Sequence, residues 1–178
     1  MPHIHTNPGE YDYTATAYIV VLGSTPETHR ILLHLHKKHS RYLPVGGHVE
    51  TNETPWQAIL KEIKEESGYL PEQLLVLQDP ARIPTLPKVD HFPQPLLIQA
   101  HDITNDHWHI DMAYAFVTTE MPALHPEINE STDLQYFTAR EIQNLGDEDI
   151  FANSRATALH VLQSGILDSW DKVPAKQR

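Results

Sequence analysis

Three glutamates, Glu62, Glu65 and Glu66, stand at i, i+3 and i+4 in the stretch TPWQAILKEIKEESG. On a helix that spacing gathers their carboxylates into one sector. Like charges so placed repel by roughly a few tenths of a kcal/mol per pair, and glutamates near a helix C-terminus also meet the negative end of its dipole. Local stability does not account for the arrangement, whereas a bound cation would. Just upstream, Gly46–Gly47 allows close backbone approach and exposes a carbonyl, and Glu53 adds a carboxylate at the helix N-terminus. Clustered carboxylates with a bare carbonyl form a hard oxygen site suited to Mg²⁺ or Mn²⁺. The competing reading is a solvated acidic face, with Lys61 and Lys64 as counter-charge.

Histidine supplies a second group of ligand types, with 13 in the chain. His34-x-His36 and His107-x-His109-x-Asp111 follow strand periodicity, which puts each set on a single sheet face. Two such strands side by side would build a second metal site. Neither strand completes a metal-specific spacing by itself, which favours the simpler reading of a polar sheet face. His48, beside the two glycines, and Arg41, just before YLPVGG, are candidate contacts for a phosphate or a base. Trp108 and Tyr114 read as packing residues.

The elements that must position these groups are well punctuated. Thr54 is a good N-cap, Pro55 suits the first helical position, Gln57 completes a capping box, and Gly68 is placed to end the helix in a left-handed cap. The helix then spans roughly Thr54 to Ser67, with Trp56, Ile59, Leu60 and Ile63 on its core face. Residues 14–22 and 30–38 read as paired strands joined by the turn GSTPETH, and residues 107–119 and 134–137 as further strands. The Pro-rich stretch from Asp79 to Pro95 reads as an irregular loop. TAREIQNL forms a short helix opened by Thr138, residues 151–165 a longer one stopped by Gly165, and the tail from about 170 to 178 frays. Strands and helices mixed without a strict βαβ rhythm predict an α/β or α+β sandwich with a mixed sheet.

Composition sets the outer limits. A chain of 178 residues, 40% hydrophobic, suits one domain over residues 1–178. A formal net charge of −11 argues against nucleic acid as a partner, since such binders present a basic surface. An anionic substrate would need a cation between it and the protein. With no cysteine, disulfides, thiolate metal sites and a cysteine nucleophile are excluded. MPHIHTNPGEYDY lacks the basic and apolar regions of a secretion signal, and no run approaches a membrane span, so a cytoplasmic protein with no membrane partner is the expectation.

The pattern Gly47-x5-Glu53-x7-Lys61-Glu62-Ile63-x-Glu65-Glu66-x-Gly68-Tyr69 resembles the Nudix box, G-x5-E-x7-R-E-U-x-E-E-x-G-U with U apolar. TATAYIVV, ILLHLH and YLPVGG before it and ESTDLQYFTAREI after it extend the resemblance over most of the chain. Two positions depart: Lys61 stands for the usual arginine, keeping the charge but losing the planar fork, and Tyr69 replaces the final aliphatic residue. The resemblance implies an α/β/α sandwich with a mixed β-sheet and a loop-helix-loop metal motif. It also implies hydrolysis of a nucleoside diphosphate linked to another moiety, by in-line attack of water with divalent ions bound. Carried onto matching positions, Glu62, Glu65 and Glu66 are side-chain ligands, the Gly46 carbonyl is a backbone ligand, and Glu53 and Lys61 support them. The base is Glu65, Glu66, or Glu130 on a later loop, with Glu127 as its neighbour. The implied partner is a small nucleotide, and a homodimer is compatible with the fold. The alternative is a non-catalytic Nudix-fold sensor, against which the intact glutamates weigh. Isopentenyl-diphosphate isomerase shares a similar box but uses a cysteine, absent here. Nucleoside triphosphates, ADP-ribose and nucleotide sugars all stay open as substrates; Pro84 lies near where ADP-ribose hydrolases of the family carry a proline, in a stretch crowded with prolines.

Overall fold

In the computed structural model, described for residues 9–83, 87–104, 107–128 and 133–176, two long strands form the spine. β1 (Tyr11–Val21) and β7 (His107–Thr118) run parallel from Tyr11↔Trp108 to Val21↔Thr118. Around them the other strands pair antiparallel. β2 (Arg30–His36) lies on β1, with β3 (Arg41–Leu43) and β8 (Leu134–Phe137) on β2. β4 (Val45–His48) also pairs with β1, β5 (Leu75–Gln78) and β6 (Leu97–Thr104) with β7, and β9 (Asp171–Pro174) with β5. The sheet is therefore mixed, as the alternation of elements predicts.

Period-2 alternation divides its residues between two cores. Ala15, Ala17 and Ile19 of β1 meet α1 (Pro55–Glu62), which buries Trp56, Ile59 and Leu60 against them together with Val45 and Phe116. Tyr18 and Val20, with Ala113, Ala115 and Val117 of β7, face the other way onto Ala158, Val161 and Leu162 of α3 (Ala152–Gln163). Helices α2 (Ala139–Asn144) and α4 (Ile166–Ser169) complete that second layer. The result is an α/β/α sandwich. Fully burying one such aliphatic side chain stabilises by about 1.5–3 kcal/mol, so Ile59→Ala in α1 would loosen the platform on which the acidic site rests.

The first helix starts where its cap chemistry says. Gln57 N–H donates to Thr54 Oγ1 at 3.2 Å and Thr54 N–H donates to Gln57 Oε1 at 2.9 Å, an arrangement worth about 1 kcal/mol. It does not end as a plain α-helix. The Ser67 hydroxyl donates to the Ile63 carbonyl, the acceptor an α-turn would give to the Ser67 amide, and residues Ile63–Ser67 form a wider π-turn. Gly68 then stops it at φ 75°, the expected left-handed cap.

The tail departs from expectation. Residues 171–174 do not fray but form β9, because β5 offers an edge and the alternation of Val173 and Ala175 turns apolar groups into the α1-side core. Ala175 N–H donates to the Leu74 carbonyl at 3.0 Å, and the Trp56 indole N–H donates to the Lys176 carbonyl at 3.1 Å. Among the described residues no helix is long and apolar enough to cross a membrane.

Candidate active site

The acidic site is a contact between β4 and the α1 helix with its π-turn. β4 presses on β1, with Thr16 opposite Gly46 and Ala15 opposite Gly47. A Cβ on Gly46 would stand 2.4 Å from the Ala15 carbonyl oxygen, and one on Gly47 would stand 2.7 Å from the Glu62 carboxyl carbon. Gly46, at φ 155° and against backbone, needs glycine for that reason, whereas a side chain at Gly47 would displace the Glu62 carboxylate. The space a side chain would fill at Gly47 is taken by the Glu62 carboxylate, while Gly46 N–H donates to Glu66 Oε2 at 2.7 Å. Glu62 and Glu66 are only 3% and 7% exposed; Glu65 is half-buried.

Lys61 is the cation set against these acids, its Nζ 3.6 Å from Glu62 Oε1. Burial by itself would lower the lysine pKa, but the carboxylates of Glu62, Glu53, Glu65 and Glu50 outweigh it and hold the ammonium above its usual range. Glu53 also fixes the approach loop, its Oε1 accepting from Glu50 N–H at 2.9 Å. Two buried carboxylates, a half-buried third and a backbone too close for any side chain match the donor set a hard divalent ion takes. The residues fit such an ion.

The other residues singled out from the sequence separate into near and far when placed in the fold. The segment carrying Glu127 docks on the end of the box helix: Glu127 N–H donates to the Glu65 carbonyl at 2.8 Å and Leu124 N–H to the Gly68 carbonyl at 3.0 Å. Glu127 itself is exposed, and Glu130 and Pro84 lie outside the described residues. Arg41 is directed to the end of the sheet, Nε–H donating to the Glu148 carbonyl at 3.1 Å with the guanidinium 4.3 Å from the Phe151 ring centroid. His48, at the end of β4, lies 3.9 Å from Asp12 and, ring to ring, 4.9 Å from His109. Tyr114 packs edge-on against Trp56, as expected of a core residue.

The two histidine strands are not neighbours. β1 lies between β2 and β7, and the sets face opposite ways: His34 reaches Glu66 at 3.9 Å on the α1 side, whereas His107 and His109 share the α3 side with Ala113. Burial, assisted by His36, pushes the His34 pKa down to about 4, so this imidazole is neutral beside Glu66. Asp111, in line with His107 and His109, is already occupied by hydrogen bonds from Thr14, Thr16 and Gln99. Asp12 of β1 joins the two histidines instead, a residue that sequence reasoning missed. The signal was present in the Asp12, Thr14, Thr16 alternation, but it becomes legible only with the β1–β7 register.

A family model of the NUDIX domain matches residues 12–157. The chain belongs to the NUDIX family. It is an enzyme of that family, a Nudix pyrophosphohydrolase, and its α+β architecture is the Nudix one. A solved NUDIX-family hydrolase from Clostridium perfringens is similar at 28% identity and TM-score 0.68, covering 89% of this chain and 99% of the other. The Ap4A hydrolase of C. elegans shares the fold at 16% identity and TM-score 0.64, over 89% and 99% of the two chains. So does the NUDIX domain of Shewanella oneidensis NrtR, solved with ADP ribose, at 12% identity and TM-score 0.61, over 87% and 88%. No curated protein sequence matches the chain.

Proposed function

We propose that this Nudix enzyme hydrolyses a nucleoside diphosphate linked to another moiety, using Mg²⁺ or Mn²⁺ held by Glu62, Glu65, Glu66 and the Gly46 carbonyl. The observation that carries the reading is the burial of Glu62 and Glu66 against Gly46–Gly47, which a solvated acidic face would not produce. Such an ion, held by these residues, would supply positive charge against the diphosphate oxygens and would make the attacking water more acidic. The chain does the rest by positioning. Gly46 N–H orients Glu66, and the Lys61 ammonium steadies Glu62.

The water oxygen bonds to phosphorus as the bridging P–O bond breaks in line, and the proton passes to a carboxylate. Glu65, Glu66 and Glu130 are the candidate bases; Glu127 is anchored to the box helix through its backbone N–H. His48 and Arg41 are the proposed substrate contacts, His48 from beside the box and Arg41 from the end of the sheet. The test is a product screen by mass over nucleoside triphosphates, ADP-ribose, dinucleoside polyphosphates and nucleotide sugars, with Mg²⁺ or Mn²⁺. Cleavage of one class at the anhydride, lost on chelation, supports the proposal; turnover that survives chelation, or none across the panel, overturns it.

A further inference from the structure

The first residues of β1 and β7 carry a second constellation, on the sheet face opposite the glutamates. Asp12 stands opposite His109 in the parallel pairing, and His101 of β6 stands opposite His109 on the other side. The His107 Nε2 to Asp12 Oδ2 distance is 3.2 Å. One donor atom from each of Asp12, His107 and His109 lies within 4.8 Å of the others. His48 and His101 close around them, with rings 4.9 Å and 5.6 Å from that of His109, and the His107 ring is 5.1 Å away.

We propose that Asp12, His107 and His109 bind a divalent transition ion of the zinc class, at a site distinct from the glutamates. Two donors of a tetrahedral zinc ion with bonds of about 2.0–2.1 Å are roughly 3.4 Å apart, so the Asp12–His107 pair is already at ligand separation and only His109 must turn inward. The donor set is the borderline one: imidazole nitrogens with a single carboxylate select zinc, nickel or copper, whereas clustered carboxylates with a carbonyl select magnesium or manganese.

Within the cluster Asp12 is 4% exposed while the His107 side chain is 30% exposed, so the site has a buried anchor and a path from solvent. Asp111 cannot serve in place of Asp12, because three hydrogen bonds already hold it. The inference does not depend on the glutamate site being catalytic.

The experiment is calorimetric titration of the metal-stripped full chain with Zn²⁺ in millimolar Mg²⁺, with the bound metal counted by elemental analysis. The same titration is run on Glu62→Gln/Glu66→Gln and on His107→Gln/His109→Gln, each checked by circular dichroism. Single His107→Gln, at the exposed edge of the cluster, covers the case in which the double variant misfolds. One Zn²⁺ per chain is expected in the wild type and the glutamate variant, and affinity about tenfold or more weaker in the histidine variants. Co²⁺ substituted for Zn²⁺ should show the strong visible bands of a four-coordinate ion, lost in the same variants. No stoichiometric Zn²⁺ in the wild type, equal affinity in a folded histidine variant, or loss of Zn²⁺ in the glutamate variant overturns the proposal.

Discussion

On one face of the sheet, Glu62 and Glu66 come from a helix and meet Gly46–Gly47, which the chain lays down just before that helix begins; on the other, Asp12, His107 and His109 come from strands far apart in the chain and meet only through sheet register. The first group is acidic, buried and oxygen-rich, with Lys61 as its near cation. The second is imidazole-rich and held neutral at His109. The difference teaches how one sheet can keep two kinds of donor from competing. The strand alternation that sends Ala15 and Ala17 toward α1 sends Asp12 and Tyr18 toward the other layer. On the two proposals made above, a hard ion and a borderline ion would find separate addresses on a single fold.

The sharpest way to break the comparison is Glu66→Gln. It removes one carboxylate charge from the oxygen site and should lower turnover by roughly 100-fold, the size typical of losing one preorganised electrostatic group, with the fold intact by circular dichroism. Turnover equal to wild type in saturating Mg²⁺ would sink the ligand assignment. Next comes Gly47→Ala. Its Cβ would stand 2.7 Å from the Glu62 carboxyl carbon, so Glu62 must move; misplacement of about 1 Å can cost up to about 100-fold, and steady-state kinetics with a crystal structure of the variant would show both displacement and loss.

A third test reads stability instead of rate. Mg²⁺ at about 100 times its dissociation constant should stabilise the folded chain by about 2.7 kcal/mol, seen as a higher melting temperature. In Glu66→Gln that rise should shrink while the metal-free protein stays as stable or becomes more so, since repulsion is relieved. A metal-free protein whose melting is indifferent to Mg²⁺ and Mn²⁺ would return the cluster to a solvated face. Smaller still is the effect of Lys61: Lys61→Ala should lower turnover several-fold, about 1 kcal/mol in transition-state terms, and Lys61→Arg should keep or raise it. Indifference to both would show that the lysine merely screens charge.

The smallest effect concerns pH. His36 and His39 have pKa values lowered first by burial, then by neighbouring charge: His39 and Lys38 act on His36, and Lys38 and Arg41 on His39. With the folded pKa below the unfolded value of about 6.5, the unfolded chain binds protons more readily, so stability is fully present above that pH and is lost as pH falls from it through the lower folded value. Thermal melts from neutral to mildly acidic pH should show this decline on top of the larger ones from His34 and His109, and His36→Gln should make it slightly shallower.

What the sequence made legible follows the same division between local and distant contacts. Thr54, Gln57 and Gly68 announce the box helix because caps and stops act within a few residues, and β1, β2, β7 and β8 are visible from their own apolar patterns. The π-turn was not visible, since no local residue pattern marks where the helix widens over Ile63–Ser67. β5 and β6 flank a Pro-rich stretch, and β9 needs β5 beside it before it is a strand at all. Asp12 was missed for a similar reason: a lone aspartate meets His107 and His109 only once β1 lies beside β7.

Trp56 turns that last strand into an optical signal. Its indole N–H is bonded to the Lys176 carbonyl, and its ring lies stacked 5.9 Å from Phe116 and edge-on 5.5 Å from Tyr114. At 3% exposure the indole is shielded from water, so its fluorescence should lie toward the blue while the C-terminal strand is docked and move toward the red when that strand lifts away. Because Trp56 sits on α1, the helix that also carries Glu62, a chain in which Trp108 and Trp170 are replaced by Phe would leave one chromophore, placed by the fold itself, to report both the closure of a sheet edge and the footing of the acidic site.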